Sequence, residues 1–192
     1  MTEPITDALK EWAVVCEALG RGHQAFVARA GGIADDGFEA EARRFALLPS
    51  RFHDDDSRLR PDAAAELRGL RPPADGRFTA RYAAELTHIW DVTDAGAVER
   101  LVPLQALAAG ELRGRFEMRG GLLRVAALRV RRLDEPVVLE PGEWSGGCRS
   151  WVEMPRPLAG FAAAVPVLTD SEYADAIGRI ERVLSRRCDA RG

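Results

Sequence analysis

The stretch GLLRVAALRVRRLDEPVVLE, residues 121–140, changes its apolar side partway along. Leu123, Val125 and Ala127 alternate onto one face with Arg129 and Arg131, whereas Leu128 and Val130 fall on the opposite face with Arg124. A flat, half-buried strand keeps one phase, so this segment buries both sets only if it bends. A bulge near Ala126–Ala127 would turn Leu123, Val125, Leu128 and Val130 inward and leave Arg129, Arg131 or both facing outward or into a groove. The chain is thereby directed toward a strongly curved, mostly antiparallel sheet or a partly closed small β-barrel.

The flanking segments supply the rest of an α+β fold. WAVVCEAL (12–19) and HQAFVAR (23–29), joined by GRG, read as a β-hairpin whose first strand, apolar on both faces, is central. FALLP follows as a strand ended by Pro49, and Pro61 opens a short helix, PDAAAELRGL. Residues 77–92 alternate as strand, with a break at Ala83–Ala84 and with Leu86, His88, Trp90 and Val92 on one face. Residues 94–109 read as helix, with Pro103 starting a second short one. WSGGCRSWVEMP (144–155) reads as a glycine turn and a short strand closed by Pro155 and Pro157. A last helix carries a Thr169/Glu172 capping box and an apolar stripe of Tyr173, Ile177, Ile180 and Leu184. The expected organisation is one domain over 1–157, then a linker and an amphipathic helix over 158–192 that packs on the core or on a second copy as a homodimer.

Composition narrows the function classes. The formal charge of −3 is not that of a polycation, and no apolar run is long enough to span a membrane. The start, MTEPITDALKEW, has neither the basic end nor the apolar centre of a signal peptide, so a cytoplasmic protein is expected. Cys16, Cys148 and Cys188 are odd in number and far apart, which fits neither a disulfide framework nor paired zinc knuckles. No P-loop, G-x-G-x-x-G or G-x-S-x-G follows a strand, and no cofactor is implied. Lys10 is the only lysine among 27 basic side chains, a preference that points to GC-rich coding. From Glu111 to Arg132, seven arginines face only Glu111 and Glu117, a local balance of +5.

Three sets of residues are candidates for chemistry. Arg29, Arg129 and Arg131 with Trp90 or Trp151 would form a groove for a phosphate-bearing ligand, guanidinium on phosphate and indole on base. His53, Asp54 and Asp56 would suit a divalent cation by type, but adjacent residues in an extended loop point apart, which favours a solvated loop over a metal site. His53 and His88 would make a general acid–base pair if the fold brought them together; otherwise His88, beside Trp90, reads as a core histidine. Cys148 lacks an identifiable histidine partner.

Six stretches taken in order, ALKEWAVVCEALGRG (8–22), ARAGGI (28–33), FALLPSRFH (45–53), HIW (88–90), LRVRRLDEP (128–136) and GGCRSWVE (146–153), resemble the bacterial family DUF1802 over about residues 8–154. The resemblance implies no established activity. Where that family often has a lysine after the arginine of the second strand and HQ after the proline strand, this chain has Ala30 and His53–Asp54. At the level of fold, small barrels of the PUA or ASCH type offer an analogy, since they combine a hairpin-rich barrel with peripheral helices and bind nucleic acid or modified bases. The first expectation is a non-catalytic module for nucleic acid or a nucleotide-like anion. The alternatives are a metal-assisted hydrolase or nuclease around His53 and His88, and a structural or regulatory protein-interaction domain.

Overall fold

The computed structural model describes residues 4–30, 43–50, 56–67, 76–146, 149–161 and 163–186. Seven strands form one sheet: β1 (Ile5–Trp12), β2 (Phe26–Arg29), β3 (Arg44–Ser50), β4 (Phe78–Val92), β5 (Leu123–Leu139), β6 (Trp151–Leu158) and β7 (Val165–Pro166). Their order is β2-β5-β4-β3-β1-β6, with β7 added to β5. β1 and β3 are parallel and every other pair is antiparallel. The helices are α1 (Ala13–Gly20), α2 (Pro61–Leu67), α3 (Ala95–Leu101), α4 (Ala109–Met118) and α5 (Asp170–Ser185). None is long and apolar enough to cross a membrane.

The expected α+β architecture with a curved, unclosed sheet is present, and its curvature follows from β4 and β5. These long strands pair along their length except at two register shifts. One lies at Thr87, where β4 carries an extra residue opposite Ala127–Leu128; the other takes up residues 133–136 of β5. The bulge expected at Ala126–Ala127 is thus on the partner strand. β5 runs without insertion from Leu123 to Arg132, and Leu123, Val125, Ala126, Ala127, Leu128 and Val130 are all buried because both of its faces are covered.

Several local expectations need correction. Residues 13–20 form α1 instead of the first strand of a hairpin, and β1 precedes it. Ala13, Val15, Cys16, Ala18, Leu19 and Gly20 are all buried, so no polar stripe marks the segment as helix. β4 is continuous through Ala83–Ala84. β3 includes Pro49, and β6 runs through Pro155 and Pro157 to Leu158. β6 is an edge strand, where a missing N–H costs no ladder bond and discourages pairing with another chain. The opposite edge is protected differently: Phe26 O of β2 accepts from Gln24 Nε2 at 2.8 Å, and Ala28 O from Arg115 Nη1 at 2.7 Å.

α1 packs against β3, β4 and β5 in the largest apolar core among the described residues, which also holds residues of α3 and α5. Tyr173, Ala176, Ile177 and Ile180 are buried there, so the C-terminal stripe is covered by the chain's own core. The second core gathers Ala8, Ala46 and Ala83 of the strands with Phe161 and Ala164.

The capping box of α5 is formed: Glu172 N donates to Thr169 Oγ1 at 3.3 Å, and Thr169 N to Glu172 Oε2 at 2.8 Å. Hydrogen bonds from the Thr169 hydroxyl and N–H hold the Glu172 carboxyl below its usual range. A depressed carboxyl contributes stability above its unfolded pKa and loses it as the pH falls through the folded one. Thr169→Ala is expected to lower stability by about 1 kcal/mol at neutral pH. In urea titrations at stepped pH the difference from wild type should narrow on acidification, and a gap unchanged down to low pH would rule out the Glu172 contribution.

Candidate ligand site at the rim of the sheet

The end of β1 places Lys10, Glu11 and Trp12 where a strand hands over to an apolar helix. Glu11 is 2% exposed, a buried carboxylate that needs partners. Its Oε1 accepts from the backbone N of Trp12 at 2.8 Å, and its Oε2 from Arg29 Nη1 at 2.6 Å. Arg29 also reaches Ser150 Oγ at 2.5 Å through Nη2 and the carbonyl of Lys10 at 3.4 Å through Nη1. Arg29 ends β2, first in the strand order, while Glu11 and Ser150 belong to β1 and the lead-in to β6. One guanidinium therefore spans the gap that the curved sheet leaves open.

Trp12 continues the cluster. The Arg115 guanidinium lies 4.8 Å from its ring centroid and that of Arg58 5.9 Å, and Glu111 accepts from Arg115 Nε at 2.9 Å and pairs with Arg58 at 3.7 Å. Lys10 Nζ donates to Ser145 O at 3.0 Å. Lys10, Arg29, Arg58 and Arg115 against Glu11 and Glu111 leave a local excess of two positive charges in a chain whose net charge is −3. Trp151 stands beside Ser150, its ring edge-on to Phe45 at 4.8 Å between centroids. Cys16 is buried with its Sγ 3.8 Å from the Glu11 carbonyl; burial pushes its thiol well above the usual range, and Glu11 and Glu17 add to the effect.

The structure separates most of the residues singled out in the sequence. Arg29 and Trp151 come to the same rim through Ser150. Arg129 pairs with Asp170 and lies 4.8 Å from the Tyr173 ring centroid at the start of α5. Arg131 donates to Ala164 O at 2.9 Å and stacks over Phe161. Arg113 and Arg115 belong to α4, so the arginines of 113–132 do not share a strand face. Trp90 neighbours Asp91, which pairs with Arg124 at 2.7 Å opposite Arg29 in register, and so turns to the other face.

His88 is exposed, which corrects its reading as a core histidine. Its ring stacks on Trp90 at 5.4 Å and 3°, and Nδ1 lies 2.9 Å from Thr87 Oγ1, which shares a 2.6 Å hydrogen bond with the Tyr173 hydroxyl. His53, Asp54, Cys148 and Cys188 lie outside the described residues, as does the side chain of Asp56. Among the described residues no three His, Cys, Asp or Glu side chains gather as metal ligands would.

The residues missed in the sequence are Lys10, Glu11, Trp12, Arg58 and Ser150, while Arg115 enters there only as one of the arginines between 113 and 132. Two adjacent charges inside ALKEWAVVCEAL were the available signal, since a charge embedded in an apolar run is buried and partnered or marks a site. The contribution of Arg115, more than eighty residues from Ala28, leaves no local trace.

Fold and site together define a mixed α+β protein whose curved, unclosed sheet carries a charged rim. The chain belongs to the DUF1802 family, described as a domain of unknown function, whose family model matches residues 8–178. Among solved structures it is similar to ASCH from Zymomonas mobilis, at 13% identity and a TM-score of 0.47, over 90% of this chain and 93% of that one. It is also similar to a serine-to-alanine mutant of that protein, at 13% identity and 0.46 over 92% and 98% of the two chains. A tyrosine-to-phenylalanine mutant matches at 12% identity and 0.45, over 90% and 96%. No curated protein matches the chain.

Proposed function

We propose that the protein is a binding module for a phosphate-bearing ligand of nucleotide or nucleic-acid type, and that the ligand sits at the rim where β2 meets β1 and the start of β6. The observation that carries this reading is the Arg29 guanidinium held at the rim by Glu11 and Ser150, with the guanidinium groups of Arg58 and Arg115 gathered over the adjacent Trp12. The uncapped start of α1, with no acidic residue in its first turn, adds to the same positive field. Arg29 is held in place by Glu11, Ser150 and the Lys10 carbonyl, so little ordering of its side chain is left to be done on binding. Relative to the sequence expectation, Arg29 and Trp151 are kept, and the ligand is placed at the rim, away from Arg129 and Arg131, which lie against Tyr173 and Phe161.

Fluorescence polarisation with labelled single-stranded RNA, single-stranded DNA and duplex DNA, each at two salt concentrations, tests the proposal. Saturable binding that weakens steeply with salt is expected. Arg29→Lys keeps a cation beside Glu11 but cannot also bridge to Ser150, and should weaken binding by about tenfold. Absence of saturable binding at low salt, or an Arg29→Lys variant that binds as wild type does, would refute it.

A further inference from the structure

Lys10 is the only lysine in a chain that writes its other 26 basic side chains as arginine. Arginine has served here for surface cations, ion pairs and contacts to carbonyls, and one position keeps an ammonium. That position is at the rim. Successive side chains of β1 point to opposite faces, so Lys10 leaves on the face away from Glu11 and Arg29. It is half-buried; its backbone N donates to Ser150 O at 2.8 Å and its Nζ to Ser145 O at 3.0 Å. Its own carbonyl accepts from Arg29 Nη1 at 3.4 Å. Two cations thus flank one strand end, joined through that carbonyl.

A single phosphate on the Arg29 side is out of reach of an ammonium on the other side, whereas successive phosphates of a chain crossing the rim meet both. We infer that the ligand of the site proposed above, on which this inference rests, is a polynucleotide that passes over the end of β1, with Lys10 holding a phosphate next to the one held by Arg29. An ammonium suits the second contact because it is compact and its three donors rotate freely. It can keep Ser145 O while turning another N–H to a phosphate oxygen, and it needs less room in this half-buried place than a planar guanidinium with its donors fixed in a fork. RNA and DNA share this phosphodiester chemistry.

The test compares wild type, Lys10→Gln and Lys10→Arg against short labelled single-stranded RNA, the same sequence in DNA, and a labelled mononucleotide, with melting temperatures measured alongside. Lys10→Gln should weaken both oligonucleotides by about tenfold and reduce the salt slope by about one. Lys10→Arg should do no better, and mononucleotide affinity should stay within about twofold of wild type, because only a polymer reaches both contacts. If RNA binds more tightly than DNA, the polymer is RNA, and the reverse order assigns DNA. Oligonucleotide binding unchanged in Lys10→Gln, or mononucleotide binding lost in parallel, would overturn the inference while leaving the rim site standing. Full activity of Lys10→Arg would overturn the requirement for an ammonium. A loss of binding that tracks a fall in melting temperature would assign Lys10 to the fold and overturn the inference too. A wild-type protein that binds neither polymer nor mononucleotide would remove this inference and the proposed function together.

Discussion

Arg29→Met is expected to destabilise the protein by about 3 kcal/mol, because it removes the counter-ion of a carboxylate with almost no access to water. Glu11 is 2% exposed and, beyond Arg29, takes its hydrogen bond from the Trp12 backbone. The substitution also frees Ser150 Oγ and the Lys10 carbonyl from the guanidinium that ties them across the gap in the sheet. The side chain of Arg29 is 15% exposed, so some solvent reaches the pair and the cost falls at the lower end of the range of about 3–5 kcal/mol for broken buried pairs. For a chain of this length the melting temperature should drop by roughly 10 °C.

The reciprocal change separates charge from packing. Glu11→Gln leaves a guanidinium that reaches solvent and two other acceptors, and should cost less, about 1–2 kcal/mol. The double variant Glu11→Gln/Arg29→Met removes both charges and should be more stable than Arg29→Met alone, since no charge then remains unpaired in the interior. Chemical denaturation of the four proteins gives the coupling directly. Costs that simply add would mean that Glu11 finds another partner and that the rim is not held by this pair.

The same pair marks the limit of what could be read from the sequence. Curvature was legible because the phase change in residues 121–140 is a property of one segment, and the α5 cap was legible because Thr169 and Glu172 are three residues apart. The sequence points to the wrong strand for the bulge because alternation in β5 records that two faces are buried, whereas the inserted residue, Thr87, belongs to β4. The sequence of α1 reads as strand because burial on nearly all sides removes the polar stripe that separates a period of 3.6 from a period of 2. Alternation puts His88 on a face with Trp90, as the stacked rings bear out, but it does not tell which part of a face is left uncovered. The rim itself joins residues 10–12, 29, 58, 111, 115, 145 and 150, and such separations become contacts only through the topology of the sheet.

Gly20→Ala should be destabilising by about 3 kcal/mol even though alanine is the better helix former. Gly20 ends α1 against the ring of Tyr82, and a Cβ there would lie 2.1 Å from Cζ and 2.4 Å from each Cε. Three ring atoms closer than any real Cβ contact require that the helix or the ring move. Neither moves cheaply. Tyr82 is 7% exposed in β4, paired with Leu47 on one side and Arg132 on the other, and its hydroxyl donates to Glu17 at 3.2 Å. Arg132 Nη2 donates to the carbonyl of Gly20, which holds the helix end to β5 as well. The gain in helix propensity is at most about 1 kcal/mol, so the clash decides the sign. Tyr82→Phe should not rescue the variant, because the ring that meets the Cβ is still present. Tyr82→Leu should, and the pair should show a favourable coupling of about 1 kcal/mol or more. The measurement is the urea midpoint of the three variants and the double mutants. Gly20→Ala with wild-type stability would mean that α1 can withdraw from the sheet without loss, and that the close approach at Gly20 does not fix its position.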